Sequence, residues 1–350
     1  MAVMVRSNAE LANDNTWNEW SDQLAGMFFD EDTQKNRDEE LLNRLFVVKK
    51  SDRFAEKAGT FGSLGNFTEK TEGQDSTEDE FEQGYFNLLQ HSTFTKDVVM
   101  SREWAEDAQI EMMAQRAKAM VRAYKRSQAQ FASDLLTGGD AESITYEGKT
   151  YSTKGGDNKA IFAPDHPLKT SKVISGGTSV VDVQSNVFTN KIGSGANAAV
   201  LLNRYANIMR NFKDDRGHVL GLLADTIVIP GNAYVLEDTV KKIIGSDGET
   251  GTNNNDINTQ RGKWTLVVDH LWTPNVAQAN MPCIIMSSEA NKDFLGSTFW
   301  NRVGLDIKSE IKTSSRNLLY NGYSRWSAGF YNWRHVIMAG SAAEGATTLT

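Results

Sequence analysis

Residues whose types and spacing could do chemistry are few in this 350-residue chain, and each has a plainer reading beside the chemical one. Gly193, Gly195 and Ala198 fit G-x-G-x-x-A ahead of a helical stretch. In a dinucleotide site such glycines let the backbone approach a pyrophosphate at a helix N-terminus. Here the preceding stretch, SNVFTNKI, is a poor strand, and the next strand, TIVIP, ends in proline with no acid placed for a ribose. The pattern reads as a glycine-rich loop and a helix start. Gly148-Lys149-Thr150 looks like the tail of a phosphate-binding loop. The position of its upstream glycine is Ser143, however, and the surroundings read as a hairpin. The histidines, His91, His166, His218, His270 and His335, are scattered; none stands at i, i+4 from another. Metal sites need clustered ligands, so these read as surface or hydrogen-bonded structural residues. Asp165-His166 between two prolines could orient a proton transfer, but a rigid turn is the expectation. Cys283, in the apolar run MPCIIM, reads as a buried inert thiol. No G-x-S-x-G elbow is present. The expectation is no catalytic centre, no metal and no cofactor.

One basic run is less easily dismissed. Arg116, Lys118, Arg122, Lys125 and Arg126 hold five bases without an acid. They could face nucleic-acid phosphates, form a solvated helix face, or meet acids of a neighbouring chain. Base readout is not indicated, because it needs side chains converging on base edges.

These bases lie on the clearest element, a helix expected over 101–137. Ser101 suits an N-cap, Glu103, Glu106 and Asp107 suit the positive end of the dipole, and Gly138-Gly139 is a natural stop. Met113, Ala117, Met120, Tyr124, Phe131 and Leu135 form one apolar face. Thirty-six residues would span roughly 54 Å. A shorter helix is expected over 31–46, with Leu41, Leu42 and Leu45 on one face. Between the two, the acidic stretch EKTEGQDSTEDEFE at 69–82 is flanked by strand-capable segments, which describes a long projecting hairpin.

Further on, ITYEGKTYS at 144–152 reads as a hairpin turning at Glu147-Gly148. Residues 196–212 and 236–244 read as helices, and residues 245–262 as a flexible loop. TIVIP, 263–270 and 283–287 read as short strands. Residues 305–313 alternate strictly, with Leu305, Ile307 and Ile311 opposite Asp306, Lys308, Glu310 and Lys312. After a turn, Leu318, Tyr320, Trp326, Ala328 and Phe330 return on one face, and 336–338 is a last strand. Segregated helices and antiparallel hairpins make the class α+β.

Composition narrows the partners. The net charge is −8, and the first hundred residues hold twenty acids against ten bases, so the acidity belongs to them. An acidic chain lacks the footprint of a general nucleic-acid binder. A single cysteine excludes an intrachain disulfide framework. The start MAVMVRSNAE lacks the apolar core of a signal peptide. The sequon at Asn66 therefore carries no expectation of glycosylation, and no membrane span is expected.

The order of elements, with TEGQDSTEDEFEQGYFNLLQHSTFTKDVVMSREWAED at 71–107, AIFAPDHPL at 160–168 and ADTIVIPGNA at 224–233, resembles the major capsid proteins of tailed bacteriophages, including Mu-like prophage head subunits. Their fold is the Hong Kong 97 type. The resemblance implies an N-arm (1–50), an E-loop hairpin with flanks (51–100), a first part of the P-domain with the spine helix (101–186), an A-domain (187–304), and P-domain return strands with a tail (305–350). It implies assembly without a reaction: hexamers and pentamers in an icosahedral shell around double-stranded DNA held without sequence specificity. The implied location is the virion capsid, assembled in the host cytoplasm. The implied partners are a portal protein, a separate scaffolding protein and decoration proteins.

In that setting Trp17, Trp20, Phe28, Phe29, Glu69, Lys70, Glu72, Glu78, Asp79, Glu80, Phe81, Tyr85 and Phe86 are expected at subunit interfaces. The basic helix residues are expected to face the lumen or a neighbour. Some relatives cross-link a lysine to an asparagine. Lys70 is the only lysine in the acidic tip, and no cross-link is expected. Two alternatives stand beside this reading: an encapsulin-like compartment shell, and a soluble dinucleotide-binding enzyme built on residues 193–198.

Overall fold

A computed structural model describes residues 36–61, 69–73, 75, 78, 83–101, 103, 110–174, 178–193, 197–248, 258–312, 314, 315, 317–342 and 345–349. Helix α1 (Arg37–Leu45) begins later than the expected 31–46, with Asn36 extended as its N-cap, and 31–35 lie outside the described residues. The Asn36 side chain accepts from the Asp38 N–H at 3.2 Å, and Asp38, Glu39 and Glu40 fill the first turn. Its buried face is Leu41, Leu42 and Leu45. Extended backbone at Phe46 ends it and leads into β1 (Val47–Lys50).

The long helix, α2, is described over Ile110–Thr137, 28 residues or about 42 Å. Ser101 is not helical and Glu103 is, while 102 and 104–109 lie outside the described residues. The C-terminal stop is as expected: the Gly138 N–H donates to Asp134 O at 3.0 Å and the Gly139 N–H to Leu136 O at 3.2 Å. Met120, Val121, Phe131, Ala132, Leu135 and Leu136 are buried along α2.

Two sheets flank this helix in sequence. The first runs β1-β13-β14-β4, with β4 (Ser92–Met100), β13 (Ser297–Ile311) and β14 (Leu318–Phe330). β14 is antiparallel to both β13 and β4. Its even-numbered residues from 318 to 326 are buried, as the alternation requires. Trp326 is at the centre, stacked on Phe94 of β4 with centroids 3.9 Å apart. β13 begins eight residues before the expected 305. Its register shifts between Asn301 and Asp306, and such irregularities break the period of two that identified only the later half.

The second sheet runs β11-β10-β12-β15-β9, with β9 (Val187–Phe188), β10 (Thr226–Pro230), β11 (Thr265–Asp269), β12 (Cys283–Met286) and β15 (Val336–Ala339). β10, β12 and β15 are buried at every residue. The helices α3 (Ala198–Arg210) and α4 (Tyr234–Gly245) bury Leu202, Tyr205 and Met209, and Leu236, Val240 and Ile243. A short helix, α5 (Ser288–Phe294), follows β12 and was not expected; Ser287 caps it by accepting from the Ala290 N–H at 3.3 Å. One apolar cluster joins α1, α2, the second sheet and Phe299, Trp326 and Phe330 of the first.

Three hairpins complete the fold: β2 (Ala55–Phe61) with β3 (Gln83–Gln90), β5 (Ser143–Tyr146) with β6 (Lys149–Ser152), and β7 (His166–Ile174) with β8 (Thr178–Gln184). The β5–β6 turn has positive φ at Glu147 (49°) and Gly148 (76°), the two-residue turn that matches strand twist. The β7–β8 hairpin was not expected. Its register shifts between Pro167 and Ser171, and such an irregularity breaks the period of two.

Candidate assembly surfaces

The hairpin β2–β3 has two unlike faces because β3 side chains alternate. One face seats on the body. Asn87 Nδ2 donates to Lys154 O and to Phe330 O, each at 2.9 Å. Leu89 lies so close to Gly329 that a Cβ there would meet its methyl at 2.4 Å. Tyr85 is half-buried on this side. Burial raises its phenol pKa, with Asp215 and Asp157 adding to the effect. The other face is open: Phe86 is 53% exposed and Leu88 59%. Lys57, paired with Leu88 in register, holds its ammonium 3.9 Å from the Phe86 ring centroid.

The hairpin root is a buried polar chain. The Ser51 hydroxyl donates to Glu56 Oε1 at 2.7 Å and lies 2.9 Å from His91 Nε2, while His91 Nδ1 lies 3.0 Å from Ser327 Oγ. Burial lowers the His91 pKa, and Arg302 lowers it further. Trp300 Nε1 donates to Tyr331 OH at 2.9 Å, which donates to Glu56 O at 3.3 Å.

The expected interface residues separate on this geometry. Phe86 points outward, whereas Tyr85, expected beside it at the interface, faces the body because adjacent strand residues face opposite ways. Glu69, Lys70, Glu72 and Glu78 are exposed. Asp79, Glu80 and Phe81 lie outside the described residues, as do Trp17, Trp20, Phe28 and Phe29. Leu88 and Lys57 belong with Phe86 on the open face. Strand parity with Phe86 was the signal that could have found Leu88.

The basic run also divides. Arg116, Lys118, Arg122 and Arg126 are exposed, and Arg116 Nη1 donates to Val99 O at 3.2 Å. Lys125 does not share that face. It is 6% exposed and pairs with Glu39 of α1 at 3.3 Å, because α1 packs along that side of α2. Within the chain it is a partner of α1.

The chemistry-bearing residues are structural. His166 Nδ1 lies 2.6 Å from Asp157 Oδ2 and Nε2 3.2 Å from Asn186 Oδ1, with the ring stacked on Trp333 at 4.2 Å. Asp165 instead pairs with Lys159 at 2.6 Å. His270 pairs with Asp38 at 2.8 Å, and His218 is exposed. Ser133 donates to Asp269 Oδ2 at 2.5 Å, tying α2 to β11; burial raises the Asp269 pKa. Cys283 is fully buried, its thiol pushed up to about 12 by desolvation.

Of the dinucleotide pattern, 194–196 lie outside the described residues. The strands on either side, β9 and β10, are separated in the sheet by β15 and β12, so they do not form the adjacent βαβ unit such a site requires. Gly148 turns a hairpin and leads into no helix. Among the described residues, no cluster of His, Cys, Asp and Glu is grouped to hold a metal, and no helix is long and apolar enough to cross a membrane.

No protein-family model matches the chain, and no curated protein matches it. Solved structures do. The one described as Mycobacterium phage Patience is similar over 98% of this chain and 90% of that chain, at 13% identity and a TM-score of 0.51. The capsid of an empty GTA particle is similar over 87% and 91%, at 12% identity and 0.47. The procapsid of bacteriophage JBD30 is similar over 97% and 77%, at 14% identity and 0.47. The α+β chain has the Hong Kong 97-type fold.

Proposed function

We propose that this chain is a structural shell subunit of a tailed-phage head that assembles with copies of itself around packaged double-stranded DNA. The observation that carries the reading is the open face of the β2–β3 hairpin. A strand that seats one side through Asn87 and Leu89 leaves Phe86 and Leu88 to water. Two large apolar side chains side by side on an exposed strand face suit a contact with another surface. The fold supplies the setting, and the structural roles of the histidines and Cys283 are consistent with a protein whose work is assembly rather than a reaction.

Within this reading the regions divide as N-arm 1–50, E-loop 51–100, P-domain 101–186 and 305–350, and A-domain 187–304. Hexamers and pentamers form the shell, which is located in the virion and assembled in the host cytoplasm. Portal, scaffolding and decoration proteins are the further partners. DNA is held without sequence specificity.

Negative-stain microscopy of the purified protein tests this. Closed shells are expected. A sample that stays as discrete 38.8 kDa monomers or as dimers when co-expressed with its neighbouring genes overturns it. Nuclease-protected DNA inside shells isolated from infected cells is expected, and enzyme cargo in its place would make the encapsulin reading the correct one.

A further inference from the structure

His166 opens β7 with its side chain fully buried, and both of its ring nitrogens face fixed partners. Nε2 lies 3.2 Å from Asn186 Oδ1. The orientation of the Asn186 amide is set by three other bonds. Its Nδ2 donates to Ile161 O at 2.7 Å and to Val336 O at 3.2 Å, while Oδ1 accepts from the Ala163 N–H at 3.0 Å. A flip would set oxygen against two carbonyls and an N–H against an N–H. Nε2 therefore faces an acceptor and carries a hydrogen. Nδ1 lies 2.6 Å from Asp157 Oδ2, and that carboxyl is 3% exposed. At this length a hydrogen stands between the two atoms, because a bare nitrogen would set its lone pair against those of the carboxylate. Imidazole is the stronger base of the two, so Nδ1 holds it. Both ring nitrogens are then protonated.

The charges around the pair agree with that placement. Asp157 and a doubly protonated His166 are neutral together, which suits burial. His166 is stacked on Trp333 at 4.2 Å, and the Arg334 guanidinium lies 5.0 Å from the same ring. Arg334 is paired in turn with Asp215 at 2.8 Å, both under 5% exposed. Burial raises the Tyr85 pKa, with Asp215 and Asp157 adding to it, so this phenol stays neutral. Across the β7–β8 hairpin His166 pairs with Gln184, which has no charge. Lys159 is taken up by Asp165 at 2.6 Å, and Lys213 faces Asp182 at 3.6 Å.

Asp157 belongs to the loop on which β3 rests. Asn87 of β3 donates to Lys154 O, and the Gly156 N–H donates to Tyr331 O at 3.3 Å. A Cβ at Gly156 would meet the Tyr85 carbonyl carbon at 3.2 Å, so loop and strand are in close contact. On its other side the pair reaches the second sheet, because Asn186 precedes β9 and donates to Val336 of β15.

We propose that the Asp157–His166 pair is a buried proton site that holds the 154–157 loop in place under β3, and that loss of its proton loosens the seat of the β2–β3 hairpin. The inference does not depend on the shell reading, since every contact lies within one chain. The unfolded chain gives up the second imidazole proton above about pH 6.5, while the folded pair keeps it. This contribution to stability is complete below that value. It falls as the pH rises, by about tenfold in the folding constant per pH unit for as long as the folded pair stays protonated.

Magic-angle-spinning NMR of the full chain, free or assembled, tests this. His166 is the only histidine followed by a proline, so 13C,15N labelling of histidine and proline assigns its ring through the His166–Pro167 peptide bond. At about pH 8 a free imidazole has lost its second hydrogen. Two protonated ring nitrogens are expected from His166 at that pH, against one from exposed His218. A bare nitrogen at His166 overturns the proposal. Asp157→Asn leaves Nδ1 a partner but removes the charge. Its His166 should show one bare nitrogen, and amides of β3 should exchange about fivefold faster than in the unsubstituted chain at equal pH, with β12 unchanged. The ratio of the two folding constants, unsubstituted over variant, should drop about tenfold between about pH 7 and about pH 8. A ratio independent of pH, or equal acceleration in β3 and β12, overturns the proposal as well. The spectrum of the unsubstituted chain needs no variant, so it decides the matter even where Asp157→Asn fails to fold.

Discussion

His335 shows how a single buried side chain sets a pH dependence. The ring is fully buried, with Nδ1 2.8 Å from the Asn332 carbonyl and Nε2 2.6 Å from the Ser297 hydroxyl. A carbonyl can only accept, so Nδ1 carries the proton and Nε2 accepts from Ser297. Burial pushes the pKa down from 6.5 to about 3. The unfolded chain therefore takes up a proton at His335 near pH 6.5, while the folded chain refuses it until near pH 3. This contribution to stability is complete above the unfolded value. It declines as pH falls through that window, at about 1.4 kcal/mol per pH unit. His335→Gln keeps one donor and one acceptor but cannot titrate. The variant should be less stable at pH 7 by about 1–3 kcal/mol, and the gap should narrow as the pH falls from about 6.5 to 4.5. Urea unfolding at several pH values measures the gap, and parallel profiles would refute the assignment. The sequence alone marked His335 as structural because no second ligand stands near it, but its burial depends on partners 3 and 38 residues away.

At the scale of the element, Asn87 is one of the groups that seat the β2–β3 hairpin on the body. Asn87 alone ties β3 to two carbonyls, one on the 154 loop and one at the end of β14. Asn87→Ala removes both bonds, so about 1–3 kcal/mol of local stability should go. Hydrogen exchange should read this as amides of β2 and β3 opening at least about fivefold faster, with β10 and β12 unchanged. Uniform acceleration across both sheets would mean that Asn87 supports the whole fold instead.

Elements of this kind were legible in the sequence where one periodicity ran uninterrupted. The alternation of β14 and the stripe of α2 were plain, and Glu147-Gly148 marked its turn. Three were hidden for physical reasons. Register shifts in β13 and between Pro167 and Ser171 of β7 broke their periods, and α5 spans only seven residues. For the surface, acidity and aromatic content pointed to the hairpin, but which side of β3 faces outward was set by Asn87 and Leu89 finding partners far along the chain. The pairing of Lys125 was hidden for the same reason, since Glu39 is 86 residues away.

Charge acts on the molecule as a whole. Residues 1–100 carry −10 and the other 250 carry +2, counting Asp and Glu against Lys and Arg. The described part of the acidic tip, Glu69, Glu72, Asp75 and Glu78, is exposed, and so are Arg116, Lys118, Arg122 and Arg126 on α2. Within the proposed shell, each subunit thus offers an acidic projection and a basic helix face to its neighbours, and attraction between them favours association. Raising ionic strength from about 0.1 M to about 1 M shortens the screening length from about 10 Å to about 3 Å, which weakens exposed contacts of this kind. Assembly followed by light scattering should therefore slow and require more protein at the higher salt. Lys118→Glu with Arg122→Glu should have the same effect at low salt and should remove most of the remaining salt dependence. Faster assembly at high salt would show that repulsion among the acidic hairpins outweighs their attraction to α2, and the charge division would then act against assembly.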